Sequence, residues 1–454
     1  MTQDAPRAAL EALRAEAEVP DLAARRAHLD ALAQVLRREA EALVRAVDAD
    51  FGGRHRAETM LAEITMALRN IRWTRRRLRR WCRARRIALP YELWPSRGRV
   101  SRVPLGVVGI LAPWNYPLQL ALVPLIAALA GGNRVILKPS EHAPRTAQAL
   151  AGLLEEALPD RVRVVQGDAR TAEALCRLPL DGLFFTGGTE TGRRIMAAAA
   201  DNLTPLVLEL GGKSPALLLE DTDLEAAARS IIAGKLLNAG QTCVAPDYLL
   251  VPRAQMEPLL QALKAATTAL YPDPESGDYT AIPRESDRAR LAVLLEGQRA
   301  EPLMARMPAP PRMGAWAVID PPADAPVMRQ EVFGPVLPLV PYDSLTEAQD
   351  RVNADPCPLA LYVYGRDGRA CDAAVAAIRS GGAMINDAVV HVTVHGLPFG
   401  GAGASGFGSY HGEEGFRSFT RPRSVLTRRR PSLIDMAKPP YGKRTEDIIR
   451  RLLR

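Results

Sequence analysis

The chain has 454 residues, 47% of them apolar and 24% charged, the balance of an ordinary globular protein with room for two or three domains. Five cysteines are few and odd in number, which argues against a disulfide framework. A formal net charge of +8 raises a nucleic-acid or anionic-membrane partner, and where that charge lies decides how seriously to take it.

The N-terminal stretch alternates charged residues with Ala and Leu and has no apolar signal core. Residues 7 to about 86 read as helices, because Leu10, Leu13 and Ala17, then Leu29, Leu32, Ala33 and Leu36, recur at three- and four-residue spacing. Ten arginines lie between Arg69 and Arg86. They are read as the solvated face of a helix with Trp73 and Trp81 turned inward. No zinc-finger, RRM or KH pattern accompanies them, so a nucleic-acid partner is not expected. Pro90, Pro95, Gly98 and Pro104 punctuate residues 87–104, which predicts a β-hairpin leading to the next domain.

From residue 105 short apolar runs alternate with helical stretches. Val107–Leu111, Arg134–Leu137, Val162–Val165, Gly182–Phe185, Pro205–Leu210 and Pro215–Leu219 are strand candidates. Helices are predicted from Leu118 to Gly131-Gly132, from near Pro144, and over Thr189–Ala200. The Leu118–Ala130 run is the longest apolar one, and at 13 residues it is too short to cross a bilayer. A membrane partner is therefore not expected, and cytoplasm is the expected compartment. The alternation predicts an α/β fold with a doubly wound parallel sheet, whose ligand crevice lies at the carboxyl ends of the strands.

A second alternating region opens with Thr222-Asp223-Leu224-Glu225, read as a capping box for a helix ending near Asn238-Ala239-Gly240. Strands are predicted again at 248–251, 336–340 and 361–364. The Gly-rich stretch from Leu397 ends in an amphipathic helix over Thr445–Arg454. These shifts divide the chain at 1–86, 87–104, 105–210, 211–395 and 396–454.

Chemistry concentrates in the loops. Cys243 follows a helix-ending glycine in Asn238-Ala239-Gly240-Gln241-Thr242-Cys243, a loop setting that suits an activatable thiolate. The plainer alternative is an inert buried thiol. Glu209 ends an apolar strand before Gly211-Gly212, where burial would raise its pKa as a general base requires; the alternative is a strand-edge glutamate paired with Lys213. Asn115, in Pro113-Trp114-Asn115-Tyr116-Pro117, could offer its amide to an oxyanion or simply form a turn. Lys138 and Glu141 follow the second strand and suit ribose hydroxyls. Thr186, Gly187, Gly188 and Gly192 precede a helix, where glycines let backbone approach a pyrophosphate. The spacing is not G-x-G-x-x-G and is weak by itself. Trp114, Tyr116 and Phe399 could line an apolar substrate funnel or pack the catalytic loop. No metal site is expected.

Taken together, PWNYP, KPSE, FTGGTETG, LELGGKSP, GQTC, EVFGP and LPFGGAGASGFGSYHG stand in the order found in the aldehyde dehydrogenase superfamily, which the chain resembles over residues 104–422. The 34-residue interval from Glu209 to Cys243 is also similar. The short length and GQTCVAPDY resemble the class three group, and the stretch from Asp50 to Thr59 resembles bacterial coniferyl aldehyde dehydrogenases. The resemblance implies a Rossmann-like cofactor domain, an α/β catalytic domain and a small β oligomerisation arm. It implies that Cys243 attacks the aldehyde, that Asn115 and the Cys243 N–H hold the oxyanion, and that hydride leaves to a nicotinamide. Glu209 would then activate water to release the acid from the thioester. Lys138 and Glu141 match positions that contact the adenosine ribose, and Glu331 and Phe333 match those at the nicotinamide ribose and ring. NAD is the expected cofactor, with NADP possible through Lys138. Many relatives carry Ser where this chain has Gly188, which bears on cofactor affinity. A homodimer is expected through the hairpin near 90–104 and a strand-like region near 413–430.

Three other readings compete. A coenzyme A-acylating or acyl-reducing enzyme of the same scaffold would commonly lack the base. A silent interaction protein would be expected to lose Cys243, Asn115 or Glu209. A nucleic-acid or membrane-surface role for the arginine helix would show salt-dependent binding.

Overall fold

The structure is a computed structural model that describes residues 4–15, 18–429, 431–432, 434–435 and 438–453. The leucine periodicity of the N-terminal region produces helices at Ala5–Ala15, Leu22–Arg38, Ala40–Phe51 and Thr65–Trp81, with Leu29, Leu32 and Leu36 fully buried. The arginine-rich helix stops at Trp81. Arg85 and Arg86 belong to a strand, so the run is not one helix to residue 86. Its arginines face solvent as expected, Trp81 is buried, and Arg77 lies 4.1 Å over the half-buried Trp73 ring.

That strand, β1 (Arg85–Ile87), pairs antiparallel with β2 (Arg97–Pro104) as the predicted hairpin. Strand β16 (Thr420–Thr427) returns to the other edge of β2 over eight paired positions. The region expected to be strand-like from 413 is helical first, over Gly412–Ser418, and only then extended.

The first large sheet is buried at its centre and partly exposed at its edges. Its parallel members are β3 (Val107–Leu111), β4 (Arg134–Lys138), β5 (Val162–Val164), β6 (Gly182–Gly187) and β7 (Leu206–Leu210). The two-residue strand β15 (Gly406–Phe407) adds antiparallel to β7, giving the order β15-β7-β6-β3-β4-β5. Every residue of β3 is buried, as strands covered on both faces require. The helix Gln119–Gly131 is buried at all thirteen positions and has no polar face. It ends where Gly132 turns left-handed and the Asn133 N–H reaches back to the Ala128 carbonyl.

The second sheet holds β8 (Pro215–Leu218), β9 (Tyr248–Pro252), β10 (Ala300–Pro302), β11 (Trp316–Ile319), β12 (Val336–Tyr342), β13 (Ala360–Tyr364) and β14 (Gly382–Ile385), in the order β10-β11-β12-β9-β8-β13-β14. All its pairings are parallel except β10 with β11. Pro215–Leu219 therefore opens this sheet and is not a further strand of the first, a distinction that an apolar run alone does not carry. The helix after it is capped by Asp223, which accepts the Ala226 N–H; Thr222 instead donates its hydroxyl to the Tyr364 carbonyl at 2.7 Å. The C-terminal helix runs Lys443–Leu452, and residue 454 lies outside the described residues. Among the described residues no helix is long and apolar enough to cross a membrane.

Candidate active site

Because β3, β4, β6 and β7 are parallel, the loops at their carboxyl ends open on one edge of the sheet. There they meet the nucleophile loop of the second domain across a cleft of about 880 Å³. Trp114, Asn115, Lys138, Glu141, Thr186, Gly187, Gly188, Glu209, Cys243, Glu331 and Phe333 all line it. Residues from six separate chain segments converge on one cavity.

The nucleophile loop is built on unusual backbone. The helix Leu224–Leu236 ends earlier than its sequence suggests, and Asn238, Ala239 and Gly240 are consecutively left-handed at φ 54°, 52° and 77°. Such φ values cost a non-glycine residue about 1–3 kcal/mol and persist only where the surroundings hold them. Here Asn238 donates to the Asn115 backbone carbonyl at 2.9 Å, and Gln241 donates to the Asn238 and Ala281 carbonyls. At Gly240 a Cβ would stand 2.3 Å from the Gly334 carbonyl oxygen, so only glycine fits.

Asn115 is buried, and its side-chain amide donates to the Gln241 carbonyl at 3.0 Å, which fixes the amide beside the Cys243 loop. The loop carrying Asn115 rests on an ion-pair cluster that inspection of motifs missed. Arg54 is fully enclosed, with Glu63 at 2.9 Å, Glu58 at 3.5 Å and the Asn115 carbonyl at 3.3 Å. Its guanidinium also lies under the rings of Phe51 and Tyr116. Glu63 in turn accepts the Leu118 and Gln119 N–H groups at the start of the buried helix. The alternation of charges at 54, 58 and 63 looks like a solvated surface, and nothing local signals that it is buried.

Glu209 is buried at the end of β7, and neither carboxylate oxygen has a hydrogen-bond partner. Desolvation alone raises its pKa well above the carboxylate range. The alternative pairing with Lys213 does not occur: Lys213 bonds Asp247 and the carbonyls of Val327 and Gln330. Asp247 also accepts the Val332 N–H at 2.8 Å, tying the Glu331–Phe333 loop to the nucleophile loop.

Cys243 is not the pre-formed thiolate that an exposed loop would supply. Burial, then the nearby Glu331 and Glu209 carboxylates, push its thiol up to about 12. Burial, then Asp247, likewise lifts Glu331 to about 8; its carboxylate packs against Gly211, where a Cβ would lie 2.0 Å from Oε2.

On the other side of the cleft, Lys138 bonds Glu141 at 2.5 Å. Burial raises Glu141, but that bond, a backbone hydrogen bond and the charges of Lys138 and His142 together outweigh it and hold the carboxyl below its ordinary pKa. Gly188 is the N-cap of the helix Thr189–Ala199, so orphan backbone N–H groups point into the cleft. The Thr186 hydroxyl is buried without a partner, and a Cβ added at Gly188 would meet nothing within 4 Å. A loop that offers free donors and empty space suits a pyrophosphate. Gly192 is placed differently from expectation. It lies inside the helix, where a Cβ would be 2.7 Å from a Leu210 methyl, so it sets helix-to-strand packing and does not line the cleft.

The three aromatic residues separate. Trp114 lines the cleft, edge-on to Phe333 and beneath Arg284. Tyr116 is buried in the catalytic loop, its hydroxyl 2.9 Å from that of Thr242, and Phe399 is buried among His391, Tyr410 and His411. Neither lines the cleft. Tyr116 packs the loop, as the alternative for these rings had it. Among the described residues no group of three or more His, Cys, Asp and Glu side chains is arranged to hold a metal ion.

Residues 2–425 match the model of the aldehyde dehydrogenase family. The chain is 42% identical to a probable coniferyl aldehyde dehydrogenase of Pseudomonas aeruginosa, over 96% of this chain and 92% of that protein. It superimposes on a substrate-bound Staphylococcus aureus AldH with a TM-score of 0.93, at 32% identity and 99% coverage of each chain. A variant of the P. syringae indole-3-acetaldehyde dehydrogenase AldA, in complex with NAD+ and IAA, aligns at a TM-score of 0.85 and 27% identity, over 94% of this chain and 88% of that one. With this cleft, this topology and these matches, the chain belongs to the aldehyde dehydrogenase family and is an NAD(P)-dependent enzyme that oxidises aldehydes to carboxylic acids.

Proposed function

We propose that Cys243 is the nucleophile, Asn115 an oxyanion donor and Glu209 the general base in the oxidation of an aromatic aldehyde of the coniferyl type. The observation that carries this reading is the convergence of Cys243, Glu209 and Asn115 on a single cleft that Lys138 and the Gly187-Gly188 turn also line. A dinucleotide suits this cleft: the Thr186 hydroxyl is partnerless and Gly188 opens a helix N-terminus, and these would hold the pyrophosphate while Lys138 and Glu141 would hold the adenosine ribose. When bound, its oxidised nicotinamide accepts the hydride. Glu331, close enough to Cys243 for its charge to act on the thiol, and Phe333, packed on Trp114, line the same cleft and would orient that ring. An ionised Glu141 at the Lys138 position would repel a 2′-phosphate held there, which favours NAD over NADP.

The chain's own groups do the rest. The Cys243 thiol gives its proton to water or to Glu209, and its sulfur bonds the aldehyde carbon. The Asn115 amide and the Cys243 N–H then stabilise the oxyanion. After hydride leaves the carbon, a thioester remains. Glu209 takes a proton from water, whose oxygen bonds the carbonyl carbon as the carbon–sulfur bond breaks. The unpaired state of Glu209 suits this base role, and the presence of a base argues against acyl transfer to coenzyme A.

The three sheets support dividing the chain into the cofactor, catalytic and arm regions at the expected boundaries 104/105, 210/211 and 395/396, whereas the arm begins at Arg85, ahead of the expected 86/87. The arm of β1, β2 and β16, with Trp94 and Tyr91 largely exposed, supports a homodimer. Cytoplasm remains the expected compartment. The deciding experiment follows NADH at 340 nm for the wild type and Cys243→Ala across aromatic, aliphatic and semialdehyde substrates, with NAD or NADP and with or without coenzyme A. An aromatic aldehyde leading without coenzyme A, and an inactive variant, are expected. Retained activity in the variant would remove Cys243 from the mechanism.

A further inference from the structure

A second cavity, of about 740 Å³, opens between the two large domains and shares only Gly211 and Glu331 with the cofactor cleft. Glu331 apart, the reaction described above makes no use of it. The cofactor domain contributes Thr189 and Arg193 of the helix Thr189–Ala199, and the buried Ser405 that precedes β15. From the catalytic domain come the ends of the helices Pro326–Arg329 and Leu345–Ala354, and the loop that runs on to Cys357. Its volume lies within the range of about 300–1,000 Å³ typical of small-molecule clefts.

Four cations line this space, and two of them are already matched: Lys213 by Asp247, and Arg193 by Glu190 at 3.8 Å. Arg351, half-buried, and Arg329, exposed, form no ion pair or side-chain hydrogen bond among the described residues. Against these two stands one exposed carboxylate, Asp355. Glu331 does not add a second, because burial, then Asp247, lift it to about 8 and keep it mainly protonated at neutral pH. One positive charge is left over. Much of the remaining lining is apolar: Met328 is buried there, and Ala323, Ala354, Pro356 and Ala404 border the same space. Guanidinium groups beside apolar surface match an anion that carries an apolar body. The planar fork takes a carboxylate through two parallel hydrogen bonds, and the apolar lining removes the body from water.

We propose that this interdomain cavity is a second binding site, in which Arg329 and Arg351 hold an organic monocarboxylate with an apolar body. That is the class of compound the enzyme itself releases, so the cavity is a place where accumulated acid is retained away from the reacting centre. A dianion exceeds the one unmatched charge. A small hydrated anion such as acetate leaves the apolar lining unused, and a neutral alcohol leaves the guanidinium groups unpaired. The cavity carries its own reporter, because Cys357 lines it and is half-buried. Cys243 lines only the other cleft, so an acid bound in the aldehyde site shields a different thiol.

The test follows alkylation of Cys357 by iodoacetamide at neutral pH, read by peptide mass spectrometry on the full-length enzyme. The probes are 3-(4-hydroxyphenyl)propanoate, the matching alcohol 3-(4-hydroxyphenyl)propan-1-ol, and acetate. Near-saturating propanoate should slow the labelling of Cys357 by about 10-fold, in proportion to the fraction of empty sites, while the alcohol and acetate leave it unchanged. Arg329→Gln/Arg351→Gln should lose the protection and keep its thermal midpoint and NADH rate, since neither side chain has a partner to lose. The single variant Arg329→Gln, at an exposed position, should need about 10-fold more propanoate for the same protection, the worth of one charged hydrogen bond. Equal protection by the alcohol or by acetate overturns the proposal. So does labelling that propanoate does not slow, protection that survives in both variants, or protection of Cys243 alone.

Discussion

Replacing Arg54 with Met should damage this enzyme more than its distance from the motifs suggests. The side chain is enclosed and compensates two carboxylates, Glu63 at 2.9 Å and Glu58 at 3.5 Å. Methionine fills much of the volume but leaves Glu63 with only the Leu118 and Gln119 N–H groups, and Glu58 with the Thr280 hydroxyl. Removing one member of a buried pair typically costs about 3–5 kcal/mol, because a charge is left uncompensated. For a cooperative unit of about 200 residues that corresponds to a fall in thermal midpoint of roughly 6–20 °C. Arg54→Met/Glu63→Gln should recover part of the loss, since the nearer of the two uncompensated charges is then gone and only Glu58 remains. Because the guanidinium also holds the Asn115 carbonyl, the double variant should fold yet keep a kcat deficit of about 10-fold or more, as small misplacements of a catalytic group do. Differential scanning fluorimetry and NADH production read the two effects separately. A single variant with an unchanged midpoint and kcat would refute the view that this cluster supports the catalytic loop.

Three further predictions concern the site itself. Glu209→Gln should give one burst of NADH per active site and then stall, since hydride transfer precedes the step that needs the base. The raised pKa of Glu209 means that the folded protein binds this proton more tightly than the unfolded chain does. The ionised group therefore costs stability above its unfolded pKa, and Glu209→Gln should raise the thermal midpoint at pH 8 and leave it unchanged in acid; the opposite pH trend would contradict the assignment. Gly188→Ser should tighten NAD binding by about 3- to 10-fold, the worth of one hydrogen bond, because a Cβ there meets nothing within 4 Å. Calorimetric titration showing weaker binding would mean that the loop closes into that space. Finally, Cys243 in the cofactor-free enzyme should react with iodoacetamide at pH 7.5 about 100-fold more slowly than free cysteine, since its pKa stands near 12. Peptide mass spectrometry would follow the rate, and rapid labelling would rule out the protonated resting thiol.

Much of this architecture was legible because strand and helix periods differ. The runs at Val107–Leu111, Arg134–Lys138 and Leu206–Leu210 read as strands, and their parallel order placed the loops that matter on one edge. What stayed hidden falls into two kinds. Strands β10, β11 and β14 are three or four residues long, too short for a period to emerge. Pro215–Leu218 is visibly a strand, yet nothing in four buried residues says which sheet it joins. At the site, residues inside dense motifs converged on the cleft, whereas Arg54, Glu63 and Asp247 act through partners dozens of residues away and look like surface charges in the sequence. Gly192 shows the reverse failing. A glycine in a recognisable loop can serve packing rather than ligand.

The pairing of Gly406 with Glu209 has a consequence for how the enzyme comes into being. The edge of the cofactor sheet that carries the proposed base is completed by a strand almost two hundred positions later, and the same late segment brings Tyr410 toward the nucleophile. A nascent chain emerging from the ribosome can therefore fold most of both sheets, Cys243 included, without yet owning a finished catalytic chamber. Assembly of the reactive centre waits until the segment around Gly406 has been made, so partial products that lack it should be inert toward the aldehydes around them.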